Sequence, residues 1–142
     1  MLPVTFRSII AGVGLLTALG ATGAIGQTAD VNGVWLTSSG DTRVKISPCG
    51  GAWCGLIVWT RNGARDAKNP DPAKRDRSLA GVQMISGMKR GADGNYSGQL
   101  YNPMDGKTYT GKLQPVSATE LKLKGCVMGG LICKSQTWTR VQ

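Results

Sequence analysis

Residues 91–114 read GADGNYSGQLYNPMDGKTYTGKLQ, and the fold class is decided in this stretch. Two runs of alternating character, 95–101 and 107–114, are separated by Asn102-Pro103-Met104-Asp105-Gly106. Pro103 presets one backbone angle and Asp105-Gly106 supplies the reversal, so the two runs fold back on each other as antiparallel strands. Asp93-Gly94 precedes the first run and predicts a tight hairpin of type I′, which needs positive φ at both central residues. The same grammar extends outward. Upstream lie 34–36, then 42–47 with Val44 and Ile46 on one face and Arg43 and Lys45 on the other. Next come 55–59, apolar on both faces as if packed on two sides, and 80–89 with Val82, Met84 and Met88 in phase. Downstream, 120–124 alternates without a fault and 135–141 ends the series. The expectation is an all-β fold of eight strands and no helix.

Eight sequential strands joined mostly by short turns favour an up-and-down antiparallel barrel, because closure removes the exposed edges at which sheets aggregate. Closure requires the first and last strands to pair. Trp35, Trp59, Trp138, Met84 and Met88 are then expected to line or fill the interior. A two-sheet sandwich is the alternative arrangement of the same strands.

The first 26 residues follow different rules. Arg7 is their only charge, and 9–19 form an apolar run too short and too glycine-rich to cross a bilayer, which takes roughly 20 apolar residues. Ala24 and Gly26 supply the small residues of a cleavage site, so 1–26 is expected to be a signal peptide removed before Gln27. The domain is then 27–142, about 116 residues, enough for one core. The expected location is the periplasm, with no transmembrane anchor after processing.

Of 17 Lys and Arg against 8 Asp and Glu, only Arg7 falls in the removed segment, so the domain keeps an excess of about eight positive charges. The cations are spread along the strands with no interleaved aromatic platform, so no nucleic-acid partner is expected. The chain has no histidine, which removes the commonest general base and the commonest zinc ligand. No G-x-S-x-G motif is present, and no carboxylates stand at a spacing that defines glycoside chemistry. No catalytic residue, cofactor or metal is expected.

Four cysteines in an exported domain read as a disulfide framework. The glycine pairs inside 49–54 and 126–133 favour Cys49–Cys54 and Cys126–Cys133, each joining two ends of a turn. Neither spacing is that of a structural zinc site. One long segment, 60–79, interrupts the strands with two prolines and dense charge, and loops of this length are often functional.

The order of several strings carries a resemblance. These are Gly33-Val34-Trp35, Cys49 with Trp53-Cys54-Gly55, Asp66 with Asn69-Pro70, Leu79-Ala80-Gly81, Tyr101 through Tyr109, Leu123-Lys124-Gly125-Cys126 and Trp138-Thr139-Arg140. Together they resemble the exported bacterial domain of unknown function 2147 (DUF2147) across the whole domain. The resemblance implies a lipocalin-like eight-stranded barrel and no established reaction. It also implies that Arg140 on the last strand stacks over Trp35 on the first and closes one end, a cation–π contact.

Candidate ligand-binding residues fall in two groups. Tyr101, Asp105 and Tyr109 could offer hydrogen bonds at a barrel mouth, or simply build a hairpin with aromatic neighbours. Asp66, Asn69 and Arg77 could form a polar site under a lid, or fasten the long loop through a carboxylate–guanidinium pair. The expected function is binding of a small apolar or amphipathic molecule at or in the barrel. The alternative is a protein-interaction module, such as an inhibitor of a secreted enzyme, with no small-molecule ligand.

Overall fold

Period-two alternation builds the walls. A computed structural model describes residues 30–142 together with Gly14, and the expected signal peptide over 1–26 otherwise lies outside the described residues. Eight strands follow in order: β1 (Gly33–Leu36), β2 (Thr42–Cys49), β3 (Ala52–Thr60), β4 (Gln83–Arg90), β5 (Tyr96–Asn102), β6 (Lys107–Pro115), β7 (Glu120–Val127) and β8 (Ile132–Arg140). Each pairs antiparallel with the next, and β1 pairs with β8, giving a closed barrel in sequence order. The only helical turns among the described residues are two short 3₁₀ pieces, Pro72–Lys74 and Met128–Gly130.

Closure is brief and well buttressed. β1 and β8 share only the pairs Trp35↔Arg140 and Leu36↔Thr139. The backbone extends the seam through Val34 N to Gln142 O at 2.9 Å and Val141 N to Val34 O at 2.8 Å. The Arg140 guanidinium lies 4.3 Å from the centre of the Trp35 ring. Its Nε donates to Ala118 O at 2.6 Å, and its two terminal nitrogens donate to the carbonyls of Asn32 and Asp30. Gly33 sits under this arginine with φ +138, and a Cβ there would collide with the guanidinium and with Gln142 O. The Trp35 indole donates to Val31 O at 2.9 Å, and Val31 is fully buried. The incoming chain therefore crosses the barrel base and plugs it.

Bulges correct the expected phase. The β3–β4 register shifts on both sides of Gly55, and the β4–β5 register shifts between Ser86 and Lys89. A bulge adds one residue to one strand and reverses which parity faces inward. Ile85 and Met88 consequently share the core, whereas Met84 is only partly buried. Trp59 is not an interior residue either. It lies on the outer wall, with the Arg43 guanidinium 4.8 Å from its ring centre. Leu56 and Val58 are each 44% exposed, so β3 is packed on one face, not two. The expected strand start at Ala80 moves to Gln83, because Leu79 and Val82 turn inward and bury themselves as the long loop returns. β7 and β8 in turn run past their expected ends, to Val127 and from Ile132.

The type I′ hairpin lies elsewhere. Gly50 and Gly51 carry φ +56 and +80 between the paired residues Cys49 and Ala52, which is the two-residue primed turn. At 91–95 only Gly94 has positive φ, and Asp93 instead accepts Asn95 N at 3.0 Å in an Asx turn. The disulfides join Cys49 to Cys54 and Cys126 to Cys133, with Cα separations of 5.8 and 4.1 Å.

The interior is filled by side chains. Trp35, Ile46, Ile57, Ile85, Met88, Leu113, Leu121 and Trp138 have almost no exposure. Gly111 marks how tightly they pack: a Cβ there would lie 2.5 Å from Leu100 Cγ and 2.8 Å from Met88 Cε. Gly125, on the neighbouring strand, meets nothing closer than 3.8 Å. Gly111→Ala should therefore lower stability by about 1–3 kcal/mol, the usual cost of overpacking a filled core. Gly125→Ala should unfold in urea at close to the wild-type midpoint, and equal losses at both positions would refute this packing.

Candidate functional site

With one end plugged and the middle filled, the space inside the walls lies where the core stops short of the open rim. The two halves of the open end differ. Over β1 to β4, the long loop returns Leu79 and Val82 into the core and covers it. Over β5 to β8, the clustered core side chains stop at Leu100 and Leu123, and above them opens a cavity of about 400 Å³. A pocket of this size suits a small organic molecule.

The inward phase of each strand supplies its lining. Leu100 and Leu123 form the floor, with Gly125 leaving room between them. Met84, Val127 and Ile132 add apolar wall. Asn102, Asp105, Tyr109 and Gln136 add polar groups, and Lys107 and Lys134 add two cations. Among the described residues the one ion pair is Arg77–Asp66, so neither lysine has a carboxylate within 4 Å. The mouth therefore combines an apolar floor with a positive rim. A wider groove of about 1090 Å³ lies at the plugged end between the turns carrying Asn95 and Ser117, but none of its lining residues is buried and its lining is more polar than that of the mouth.

The two groups of candidate residues are separated by role. Asp105 and Tyr109 line the mouth, where the Tyr109 hydroxyl donates to Asp105 Oδ2 and Lys107 N donates to Asp105 Oδ1 at 2.9 Å. Burial works against the Asp105 charge, but these hydrogen bonds outweigh it and hold the carboxyl below its usual range. The same bond from Tyr109 to Asp105, aided by some burial, raises the Tyr109 phenol.

Asp66, Asn69 and Arg77 gather around Tyr101, outside the cavity lining except for Tyr101 itself. Asp66 is fully buried and both of its oxygens are occupied. Tyr101 Oη donates to Oδ1 at 2.5 Å, while Asn69 Nδ2 at 2.8 Å and Arg77 Nε at 2.9 Å donate to Oδ2. Arg77 Nη2 adds a second contact to Oδ2 at 2.8 Å. Desolvation alone would raise the Asp66 carboxyl, but the donors win and hold it below its ordinary value. Burial and the adjacent carboxylate push the Tyr101 phenol up to about 12. The carboxylate is fully shielded from solvent, so it presents nothing to a ligand. It works as a clasp that binds the long loop to β5, and the loop backbone at Lys68 packs so close to Gly106 that a Cβ there would collide with it.

Sequence reasoning passed over Lys107, Lys134, Leu100, Leu123 and Gly125. The available signal was parity: Lys107 shares the inward phase of Tyr109 and Leu113, and Lys134 that of Gln136 and Trp138. Ending β7 at Lys124 and starting β8 at Ser135 leaves Gly125 and Lys134 outside the expected strands.

Residues 33–140 match the model of a family described as an uncharacterized protein conserved in bacteria, DUF2147. The matched span begins at the glycine beneath Arg140 and ends at Arg140 itself. No curated protein matches the sequence. Among solved structures, protein HP1028 from the human pathogen Helicobacter pylori, described as belonging to the lipocalin family, aligns with a TM-score of 0.70 and 25% sequence identity, covering 80% of this chain and 84% of that one.

The clasp has a pH signature. Asp66 has a depressed folded-state pKa, so its contribution to stability is complete above about pH 4 and is lost as acid passes through the lowered value. Tyr101 works in the opposite sense: its contribution is complete below about pH 10 and fades as pH rises towards its raised value. Asp66→Ala should cost about 2–3 kcal/mol at neutral pH, the worth of hydrogen bonds to one buried charge. Urea unfolding of the two chains should show a steady difference between about pH 5 and 9 that shrinks in strong acid. Equal stabilities at pH 7 would contradict the clasp.

Proposed function

The chain belongs to the DUF2147 family of proteins conserved in bacteria, and from that premise we propose that it binds a small anionic amphiphile in the open mouth of its lipocalin-like barrel, after export to the periplasm. The observation that carries the reading is the pairing of a buried Leu100–Leu123 floor with Lys107 and Lys134 at the rim of the mouth cavity. An apolar chain laid on that floor gains about 25 cal/mol for each Å² removed from water. A carboxylate or phosphate head at the rim gains charge-assisted hydrogen bonds from two lysines with no carboxylate within 4 Å.

The filled interior bounds the ligand. Its chain lies across the mouth and does not thread the barrel, so short-chain amphiphiles fit better than long ones. Tyr109 and Asp105, bonded to each other, form a fixed polar edge beside the head group. Export is supported by the two disulfides and by the apolar N-terminal segment with small residues at its end. No helix among the described residues is long and apolar enough to cross a membrane. The similarity to HP1028, a member of the lipocalin family, supports a small-molecule role for the barrel.

Titration calorimetry with dodecyl phosphate and with dodecyltrimethylammonium, both below their micellar concentrations, tests the reading. The anionic probe should bind and the cationic one should not. Lys134→Gln should weaken the anionic probe roughly tenfold, the loss of one charge-assisted contact. Gly125→Leu, which fills the space above Leu100, should abolish binding with little change in the melting temperature. Equal binding of both probes, or binding that survives Gly125→Leu, would overturn it.

A further inference from the structure

The rim of the open end carries apolar side chains that the fold does not use. Leu131 is 85% exposed, Met128 70% and Ile132 53% at the β7–β8 turn, and Met104 is 82% exposed at the β5–β6 turn across the mouth. Single exposed apolar residues are ordinary, but a group gathered at one end of a small domain marks a contact surface. The turn 128–131 contains no charge. The ionisable residues on the adjoining strand ends are Lys107, Lys124 and Lys134, and the carboxylate of Asp105 is already held by Tyr109.

The turn is also held rigid. Cys126 and Cys133 are directly paired across β7 and β8, and their disulfide lies one residue below the last pair, Val127↔Ile132. Met128 has φ 53 and is the one non-glycine residue in the left-handed region among the described residues. Asparagine or glycine would adopt that conformation at lower cost. The fold thus keeps a long apolar side chain, in an unfavoured backbone state, pointing away from its core.

We infer that the β7–β8 tip docks the open end of the barrel onto the surface of an anionic lipid bilayer. Leu131, Met128 and Ile132 enter the headgroup boundary, and the surrounding lysines meet the lipid phosphates with their stems along the apolar boundary. Among possible occupants of this surface, the bilayer is favoured by the combination of an uncharged apolar tip with a surround in which Lys107, Lys124 and Lys134 outnumber the single carboxylate of Asp105. A protein partner recognised by the same face would need acidic groups placed around an apolar socket, and a second copy of this chain would bring lysines against lysines. Docked in this way, the mouth faces the membrane. The inference rests on the tip and stands whatever the cavity binds.

Flotation with vesicles of phosphatidylcholine alone, and of phosphatidylcholine with phosphatidylglycerol, provides the test, using chains with identical N-termini and mapped disulfides. The wild type should float with the phosphatidylglycerol vesicles, and rising salt should release it. The double variant Met128→Asn/Leu131→Ser should bind on the order of tenfold less at an unchanged melting temperature. The variant Gly125→Leu, which blocks only the cavity, should float like the wild type. The inference is overturned if the wild type stays with neither vesicle, if the double variant floats equally well, or if Gly125→Leu alone abolishes flotation. It is also overturned if sedimentation shows a dimer that Leu131→Ser splits, since the tip would then be covered by a second copy.

Discussion

One arginine holds the architecture together. Arg140 lies on Trp35, and its guanidinium is bonded to three backbone carbonyls drawn from two other segments of the chain. β1 is four residues long and meets β8 at only two residue pairs, so the ladder by itself is a weak closure. The stacked cation, the carbonyls it gathers and the Val31 plug make the seam strong. They also determine which end of the barrel is blocked. The opposite end follows from that polarity, because in a closed and filled barrel it is there that the buried floor of Leu100 and Leu123 opens to solvent.

The open end is itself divided. The Asp66 clasp ties the long loop to Tyr101, and the loop returns Leu79 and Val82 over the β1–β4 half. The β5–β8 half has no such cover, and the disulfide-stapled tip rises beside it. The most highly charged segment of the chain is therefore a structural strap, while the cations placed to meet a ligand come from the unremarkable ends of β6 and β8. Burial explains the difference. Asp66 is surrounded and fully satisfied, whereas Lys107 and Lys134 have no carboxylate within ion-pair distance.

Much of this was legible in the residues. Alternation in 42–47, 107–114 and 120–124 identified walls with one wet face, and the glycine pairs between cysteines placed both cross-links. Bulges were not legible. The apolar residues of 80–89 are compatible with either parity, and only the shifts beside Gly55 and before Lys89 bring Ile85 inward and leave Met84 at the mouth. An indole reads as core in a sequence, and Trp59 lies outside because the neighbouring Arg43 guanidinium supplies it with a partner there. The rim lysines carry no sequence signal beyond parity, because a lysine at a strand end looks solvated whichever face it occupies. Tyr101 and Asp66 lie 35 positions apart, and nothing local in the sequence joins them.

The most direct test of the barrel's polarity is to titrate isotope-labelled protein with dodecyl phosphate and follow the backbone amide signals. Shifts should concentrate at Leu100, Tyr109, Gly125 and Lys134 and leave Gln114, Thr119 and Arg140 unmoved. Shifts centred on the groove around Arg140, or an unchanged spectrum at high probe concentration, would contradict a barrel sealed at one end and receptive at the other.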